Sequence, residues 1–318
     1  MIDLMGKKNI FFTLSILIFL TGIIATFVNG VKLDIQFQGG TIMQIQMPND
    51  QFDTERAANI VEESIGKRAS VQRSTTYNPE DPSKNITLMV LNIGSDETLN
   101  DTEQTTLLAA LRKEYNIPND AQITVNSVAP FIGDEIKKNS LKAMILSFIV
   151  IILYVWYRFR VMHGLSAGVF AVLALVHDCF VMYTVFVLFQ IPINDSFVAA
   201  VLTIIGYSCN DTIVIYDRIR ENTRLMRKVP VHELVNTSVL QTMSRSINTS
   251  LCTLISVAVL YVFAAIYNIQ ALKDFSFPLV VGIISGCYST IFIACPLYMV
   301  WQERNIKKKA AARKPAKA

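Results

Sequence analysis

Long apolar runs separated by polar stretches dominate the pattern of this sequence. A helix needs about 20 apolar residues to cross the ~30 Å hydrocarbon core of a membrane, and runs of roughly that length recur along the chain. They lie at 9–29, 139–157, 164–190, 195–216, 247–267 and 276–301. The pattern predicts six transmembrane helices, one of them separated from the other five by a long polar segment.

The polar segment between the first two runs shows the periodicities of strands and helices. Alternating residues predict strands, and apolar residues spaced three or four apart predict helices. Strands are predicted at 42–47, 70–77, 86–93 and 123–131, helices at 53–67 and 98–115, and a turn at 78–85. The order βαββαβ is that of a ferredoxin-like α+β domain, a fold with many unrelated uses.

Composition agrees with an integral membrane protein. Of the 318 residues, 52% are hydrophobic and 17% are charged, which is too apolar for an ordinary soluble domain. The fold class predicted is an α-helical polytopic membrane protein with a ferredoxin-like extracytoplasmic domain. The predicted division is 1–30 for the N-terminus and first span, 31–138 for the extracytoplasmic domain, 139–303 for the bundle with a cytoplasmic loop at 217–245, and 304–318 for a basic tail.

Basic residues indicate the orientation, because Lys and Arg collect in cytoplasmic loops. Basic side chains precede the first span, follow the second, fill the connection between the fourth and fifth, and crowd the C-terminal tail. The short connection 190–195 has none. Lys137, Lys138 and Lys142 run against this pattern, but they adjoin the long external domain. Both termini are therefore predicted to be cytoplasmic.

Two carboxylates stand inside predicted spans, Asp178 and Asp211. Ionisable residues at membrane depth are costly and are functional candidates by default. No Walker-type, HExxH or paired CxxC motif occurs, so the sequence predicts no enzyme, no metal site and no cofactor. All five cysteines fall in predicted spans, which indicates packing rather than a disulfide framework.

Helical spacing groups Asp211 with Thr203, Tyr207 and Asn210 on one stripe of the fourth span. Arg245 opens the fifth span at a depth predicted to be similar to that of Asp211. A site balanced between a neighbouring charge and burial can take up and release a proton. Two alternatives remain: a static Asp211–Arg245 ion pair, or an Arg245 side chain that only snorkels to the membrane–water interface.

Further polar and small residues recur every three or four positions on the last two spans. The fifth span carries such a face at Arg245, Asn248, Thr249, Cys252, Thr253 and Ser256. On the sixth, Gly282 and Gly286 form a small-xxx-small pattern that permits close helix approach, followed by Ser289. These three residues and Gly206 are predicted to pack helices. His177 and Asp178 are adjacent and therefore predicted to point to different faces, which argues against a His–Asp relay.

These motifs resemble those of the SecF family, the smaller partner of SecD in bacterial Sec protein export, over nearly the whole length. The matching segments are LDIQFQGGT (33–41), VAPFIGDE (128–135), YVWYRFR (154–160), VHD (176–178), IGYSCNDTIVIYDRIREN (205–222), RSINTSLCTLISV (245–257) and FSFPLVVGIISGCYSTIFIACPL (275–297). The resemblance implies half of an RND-like bundle that uses the proton-motive force to complete preprotein movement across the bacterial inner membrane. The partners implied are SecD, the SecY/SecE/SecG channel, YajC, unfolded preprotein and membrane lipid, with no specific nucleic acid.

The resemblance also assigns residues. It implicates Asp211 and Arg245 in proton passage, and the predicted pathway adds Asn210, Tyr207, Thr249 and Asp178. The family's loop motif matches at Asp34, Gly39, Gly40 and Thr41. Cys209, where a hydrophobic residue is usual, and Asn248 depart from the family pattern. Two rival hypotheses are half of an RND-type exporter for a small molecule or lipid, and a structural membrane subunit in which Asp211 is dispensable.

Overall fold

A computed structural model describes residues 3–49, 52–76, 86–94, 99–226, 228–267 and 269–312. The turn predicted at 78–85 and residues 313–318 of the predicted tail lie outside the described residues. In chain order the elements are α1 (Lys8–Asn29), α2 (Ile35–Gln38), β1 (Gly40–Gln46), α3 (Thr54–Ile65), β2 (Ala69–Thr76), β3 (Ile86–Ile93), α4 (Asp101–Tyr115), β4 (Ile123–Val128), α5 (Pro130–Arg158), α6 (Gly164–Leu188), α7 (Asp195–Leu225), α8 (Val231–Ile266), α9 (Gln270–Ser289) and, after a π-helical turn at Thr290–Ala294, α10 (Cys295–Ala312).

The predicted membrane spans are confirmed. Within the described residues, six helical segments are long and apolar enough to cross a membrane: α1, α5, α6, α7, α8 and the continuous run α9–α10. Helix α6 packs against α1, α5, α7 and α9, and α9 also packs against α7 and α8. Helices α6 and α9 therefore form the middle of the bundle, while α7 and α8 each keep one side open.

The polar segment forms a four-stranded antiparallel sheet with strand order β2-β3-β1-β4. Its sequence alternation has a structural cause, since every second residue of β3 is buried against the covering helices. Met43 and Leu91 from the sheet meet Val61 of α3 and Leu107 of α4 in one apolar core. The predicted order of strands and helices is the observed one.

The last predicted strand ends earlier than expected. Strand β4 stops at Val128, and Pro130 begins α5, whereas the strand was predicted to run through Phe131. Proline has no N–H to donate to a sheet but suits the first turn of a helix. Helix α5 therefore carries the chain from the sheet directly into the membrane-spanning bundle.

The connection predicted at 217–245 is largely helical in the structure. Helix α7 continues to Leu225 and α8 begins at Val231. Asp217–Arg220 and Arg218–Glu221 form ion pairs one helical turn apart, which support the continuation. Helix α10 runs to Ala312, so the first part of the predicted basic tail is helical, in line with its Lys and Ala content.

The sheet is fixed to one end of the bundle, which we call the sheet end, where α1 ends and α5 begins. The backbone N–H of Asp34 donates to the Ile193 carbonyl at 2.9 Å, and that of Ile193 donates to the Lys32 carbonyl at 2.9 Å. Helix α2 lies so close to α5 that a Cβ on Gly133 would stand 2.7 Å from the Phe37 carbonyl oxygen. The opposite end, which holds Lys8, Leu225 and Val231, is called the terminal end.

Candidate functional site

Asp178 of α6 lies at the centre of a hydroxyl network between three helices. Its side chain is buried, and the hydroxyls of Ser208 and Ser289 each donate to Oδ2 at 2.8 Å. The Ser285 hydroxyl donates to Oδ1 at 2.6 Å. Buried carboxylates are stable where such donors meet their lone pairs. The network therefore holds α6, α7 and α9 together at mid-bundle.

His177 and Asp178 do not point apart as predicted. Nδ1 of His177 lies 3.4 Å from Oδ1 of Asp178, and both side chains are buried. The His177 ring also packs beside Phe19 of α1 and Tyr288 of α9. Adjacent Cα–Cβ bonds diverge on a helix, but rotation about the side-chain bonds turns the imidazole back towards the carboxylate.

Asp211 of α7 has a different environment from Asp178. It is 8% exposed, and among the residues that the structure describes no group hydrogen-bonds its Oδ2. Ser246 of α8 faces it, and the Ser246 hydroxyl likewise has no partner in the described part of the chain. The structure thus places a buried carboxylate oxygen that lacks a well-formed hydrogen bond beside one donor, the Ser246 hydroxyl.

A second set of hydroxyls connects the surroundings of the two carboxylates. Thr212, next to Asp211, donates to the backbone oxygen of Ser208 at 3.1 Å. The Thr212 and Thr290 hydroxyl oxygens are 3.0 Å apart. Thr290 begins the π-helical turn, and such turns often occur at functional sites. Hydroxyl contacts therefore lead from Asp178 through Ser208 and Thr212 to the helix break.

Arg245 does not pair with Asp211 in this structure. Its side chain is exposed, and it forms no ion pair within the described residues. It lines a polar cavity of about 680 Å³ at the terminal end, together with Asp217, Glu221 and Gln241. A helix turn separates this cavity from Asp211, so the alternative of a static pair is not the arrangement observed, and Ser246 takes the position beside the carboxylate.

The remaining residues of the predicted pathway divide between the interior and an open face. The Tyr207 hydroxyl donates to Ser250 of α8 at 3.2 Å. Asn210 and Thr249 are exposed. The prediction that Asn210 shares the environment of Asp211 is wrong, because successive helical residues are rotated by about 100°. We call the exposed small and polar positions of α7 and α8 the open face; they are Thr203, Gly206, Asn210, Asn248, Thr249, Cys252 and Ser256.

The glycines predicted to pack helices behave differently from one another. A Cβ on Gly282 would lie 2.5 Å from Cγ1 of Ile204, and one on Gly286 would lie 3.1 Å from Cβ of Ser208. Both glycines thus let α9 approach α7 closely. Gly206 lies on the open face, and no atom of the described residues is within 4 Å of a Cβ built there, so a packing role for Gly206 needs a helix from outside the described chain.

We expect Gly282→Ala to lower the thermal stability of the purified chain, because the added methyl displaces Ile204 at a cost of about 1–3 kcal/mol. Gly206→Ala is the matched control, since it adds the same methyl to open space. It should leave stability unchanged or raise it by up to about 1 kcal/mol through the better helix propensity of alanine. Melting followed by intrinsic fluorescence measures both. Equal melting temperatures for the two variants would contradict the assigned packing.

The loop motif forms the junction between bundle and sheet. Asp34 caps α2 by accepting from the Gln36 N–H at 3.3 Å. Burial raises the pKa of Asp34, the cap to α2 opposes this rise, and nearby Asp195 adds to it. Gly39 and Gly40 have φ values of 81° and 126°, which favour glycine. Thr41 is buried and accepts from the Leu99 N–H at 3.2 Å.

Three functional candidates escaped the sequence reasoning: Ser208, Ser246 and Ser285 as partners of the buried carboxylates. Ser285 lies between the two glycines of the small-residue pattern on the sixth span, and Ser246 directly follows Arg245. No spacing along the chain indicates Ser208, because the carboxylate it contacts, Asp178, lies on a different helix. Serines are common in packed membrane helices, so spacing alone does not show which of them contact a carboxylate.

Comparisons with known proteins agree with this architecture. A sequence model described as "Protein export membrane protein SecD/SecF, C-terminal" matches residues 107–304. "Protein translocase subunit SecF" of Alicyclobacillus acidocaldarius is 34% identical over 319 residues, covering 99% of this chain and 97% of the relative. "Protein translocase subunit SecDF" of Brucella abortus is 37% identical over 276 residues, covering 86% of this chain and 34% of the relative.

Solved structures show the same similarity. The crystal structure of SecDF, a translocon-associated membrane protein from Thermus thermophilus, matches with a TM-score of 0.78 and 29% identity. The match covers 95% of this chain and 39% of the SecDF chain. A SecDF structure in a super-membrane-facing form matches with a TM-score of 0.67 and 29% identity, over 98% of this chain and 40% of that one. On the family match and these full-length similarities, the chain belongs to the SecD/SecF family, in its SecF group.

Proposed function

We propose that this chain is a SecF-like translocase subunit that assists late steps of Sec-dependent preprotein translocation across the bacterial cytoplasmic membrane. The names of its full-length relatives support translocation, and its six membrane-spanning segments fit a multi-pass inner-membrane protein. The proton-motive force is the proposed energy source. It supplies about 2.3 kcal/mol per elementary charge for every 100 mV.

One observation carries the proton-driven mechanism: Asp211 is buried with an oxygen that no described residue satisfies. An unpaired buried charge is costly, and taking up a proton removes that charge. Asp178, by contrast, receives three hydroxyl hydrogen bonds and is stabilised where it stands. We therefore assign the changing protonation state to Asp211 and a positioning role to Asp178.

The polar cavity at the terminal end is the proposed route between water and Asp211. Asp217 and Glu221 line it, each paired with an arginine, and Arg245 lines it from α8, so its walls are polar and open to water. When Arg245 moves towards Asp211, its positive charge favours release of the proton. Tyr207 and Thr249 lie further towards the sheet end and provide hydroxyls for the next step, and Asn210 faces the proposed partner.

The proposed partner is SecD, which would supply a second bundle. The solved SecDF chain is more than twice as long as the part that this chain matches, and the open face of α7 and α8 is available for packing. Transporters built from two related halves move one half against the other around a site between them. We propose that this chain is one such RND-like half, associated with the SecY/SecE/SecG channel and YajC and contacting unfolded preprotein.

The extracytoplasmic unit is proposed to be ferredoxin-like. The strand order β2-β3-β1-β4, with a helix between β1 and β2 and another between β3 and β4, supports this arrangement. The similarities give no support to a small-molecule or lipid exporter, since the relatives above are named as translocase or protein export proteins. A purely structural subunit would tolerate loss of the Asp211 carboxyl.

Preprotein transport into inverted membrane vesicles tests the proposed function. Vesicles depleted of this chain should lose the part of transport that a proton gradient stimulates, and supplying the chain should restore it. Transport at zero gradient in the same vesicles is the control for an intact channel. Unchanged gradient stimulation after depletion would contradict the proposal.

We propose that both termini are cytoplasmic and that the sheet end faces outward, because basic residues concentrate at the terminal end. Lys84, one natural labelling position, lies outside the described residues. In a cysteine-free background, a cysteine at exposed Lys113 of α4 should react with an impermeant thiol reagent added outside cells, and one at exposed Thr223 should not. Lys113 is preferred to Asn116, whose φ of 50° disfavours cysteine. External labelling at Thr223 would reverse the orientation.

A further inference from the structure

An apolar cavity of about 410 Å³ lies between α5, α6 and α7 near the sheet end. Leu141 and Phe148 line it from α5, Phe180 from α6, and Val201 and Leu202 from α7. Its volume is within the range of about 300–1,000 Å³ typical of ligand sites. Leu141 is 54% exposed, so the cavity is continuous with the outer surface of the bundle at membrane depth.

The cavity has the depth of one membrane leaflet. Lys137 and Phe148 line it from the same helix and stand eleven residues apart. At about 1.5 Å per residue this is ~16 Å, close to half of the ~30 Å hydrocarbon thickness. The lining residues on α5 recur every three or four positions and thus face one way. The cavity therefore extends from the interface to about the middle of the membrane.

Charge is present only at the rim. Lys137 lies at the interface end of the cavity, and Lys138 and Lys142 are exposed on the same helix. Lys137 pairs with exposed Asp134 at 2.9 Å, a surface pair that contributes little and leaves further ammonium donors. Glu135 is also nearby, so residues 134–142 carry one net positive charge, three lysines against two acids.

These lysines lie at the sheet end, away from the main concentration of basic residues at the terminal end. We propose that the cavity binds one anionic phospholipid of the leaflet at the sheet end, with an acyl chain between α5, α6 and α7 and the phosphate beside Lys137. Ser140, which also lines the rim, donates to the same phosphate. The acyl chain of a phospholipid fits the apolar length of the cavity, and its phosphate fits the charged end. The proposal goes beyond the proposed function and does not depend on proton use.

Quenching of a tryptophan by brominated lipid tests the site in the full chain. Trp156 and Trp301 are replaced by phenylalanine, and Leu141→Trp supplies the reporter. The protein is reconstituted in phosphatidylcholine vesicles containing either brominated phosphatidylglycerol or brominated phosphatidylcholine. Ile24→Trp, which is 61% exposed on α1, is the control reporter for the general lipid surface.

We expect phosphatidylglycerol to bind about fivefold more strongly than phosphatidylcholine at Leu141→Trp, the effect of one lysine near an anionic lipid. Lys137→Gln should remove this preference, whereas Lys113→Gln on the remote helix α4 should keep it. The amount of phosphatidylglycerol that co-purifies with the chain, its native tryptophans retained, should also be lower for Lys137→Gln than for the unsubstituted chain.

Three results would overturn the proposal. If both reporters, Leu141→Trp and Ile24→Trp, show the same preference for phosphatidylglycerol over phosphatidylcholine, the cavity is no more selective than the general lipid-facing surface. If Lys137→Gln still prefers phosphatidylglycerol to phosphatidylcholine, Lys137 does not contribute to the lipid site. Weaker quenching by both lipids at Leu141→Trp than at Ile24→Trp would show that protein, not lipid, fills the cavity.

Discussion

Asp211→Asn is expected to reduce gradient-stimulated export to the rate measured when the gradient is collapsed, while the chain still folds and assembles. The amide keeps the shape of the carboxyl group but cannot bind or release a proton. The asparagine amide keeps an oxygen that accepts from the neighbouring Ser246 hydroxyl, so the substitution leaves the buried site polar and paired as before. Folding should therefore be preserved and proton coupling lost. Export by reconstituted vesicles, with and without a proton gradient, measures the effect.

Asp195→Asn is the matched control for this prediction. It makes the same chemical change on the same helix, but Asp195 is exposed at the first turn of α7. This variant should keep gradient stimulation. Full stimulation in Asp211→Asn vesicles, with unchanged sensitivity to collapse of the gradient, would favour the structural subunit. If the Asp211→Asn variant cannot be purified as a complex, Asp211 is instead needed for folding or assembly.

Much of the architecture follows from the sequence because its signals are local. Apolar runs gave the six spans, and alternating residues in β1 and β3 gave the strands of the sheet. The apolar run predicts where the fourth span leaves the membrane, near residue 216, but not that α7 continues as one helix to Leu225. Membrane burial and helix formation have different requirements, and Asp217–Arg220 stabilises a helix that has already left the hydrocarbon.

The candidate site was predicted less completely, because helical spacing shows which residues share a stripe but not what that stripe faces. Asp211 and Asn210 are neighbours in sequence, yet one is buried and the other lies on the open face. The network around Asp178 brings together residues more than one hundred positions apart, Asp178 and Ser289. Such contacts depend on how α6, α7 and α9 cross, which no single segment of the sequence contains.

The open face has the composition of a packed interface without a covering helix. Gly206 lies there with nothing within 4 Å of a Cβ, although glycine is unfavourable in a helix unless a close approach requires it. Small and polar residues of α8, including Asn248 and Ser256, are exposed beside it. Membrane helices associate through such residues, because they allow backbones to approach and form hydrogen bonds. The proposed SecD bundle is therefore expected to pack at Gly206.

Gly206→Trp should weaken association with SecD by about tenfold or more without unfolding the isolated chain, since overpacking a close helix contact costs about 1–3 kcal/mol. The indole projects into open space when the chain is alone, so its melting temperature should stay unchanged. Co-purification with tagged SecD in mild detergent measures the association. Leu14→Trp, on the exposed side of α1, is the matched control and should co-purify normally. Equal recovery of SecD with both variants would exclude the open face as the SecD interface and move it to another surface of the bundle.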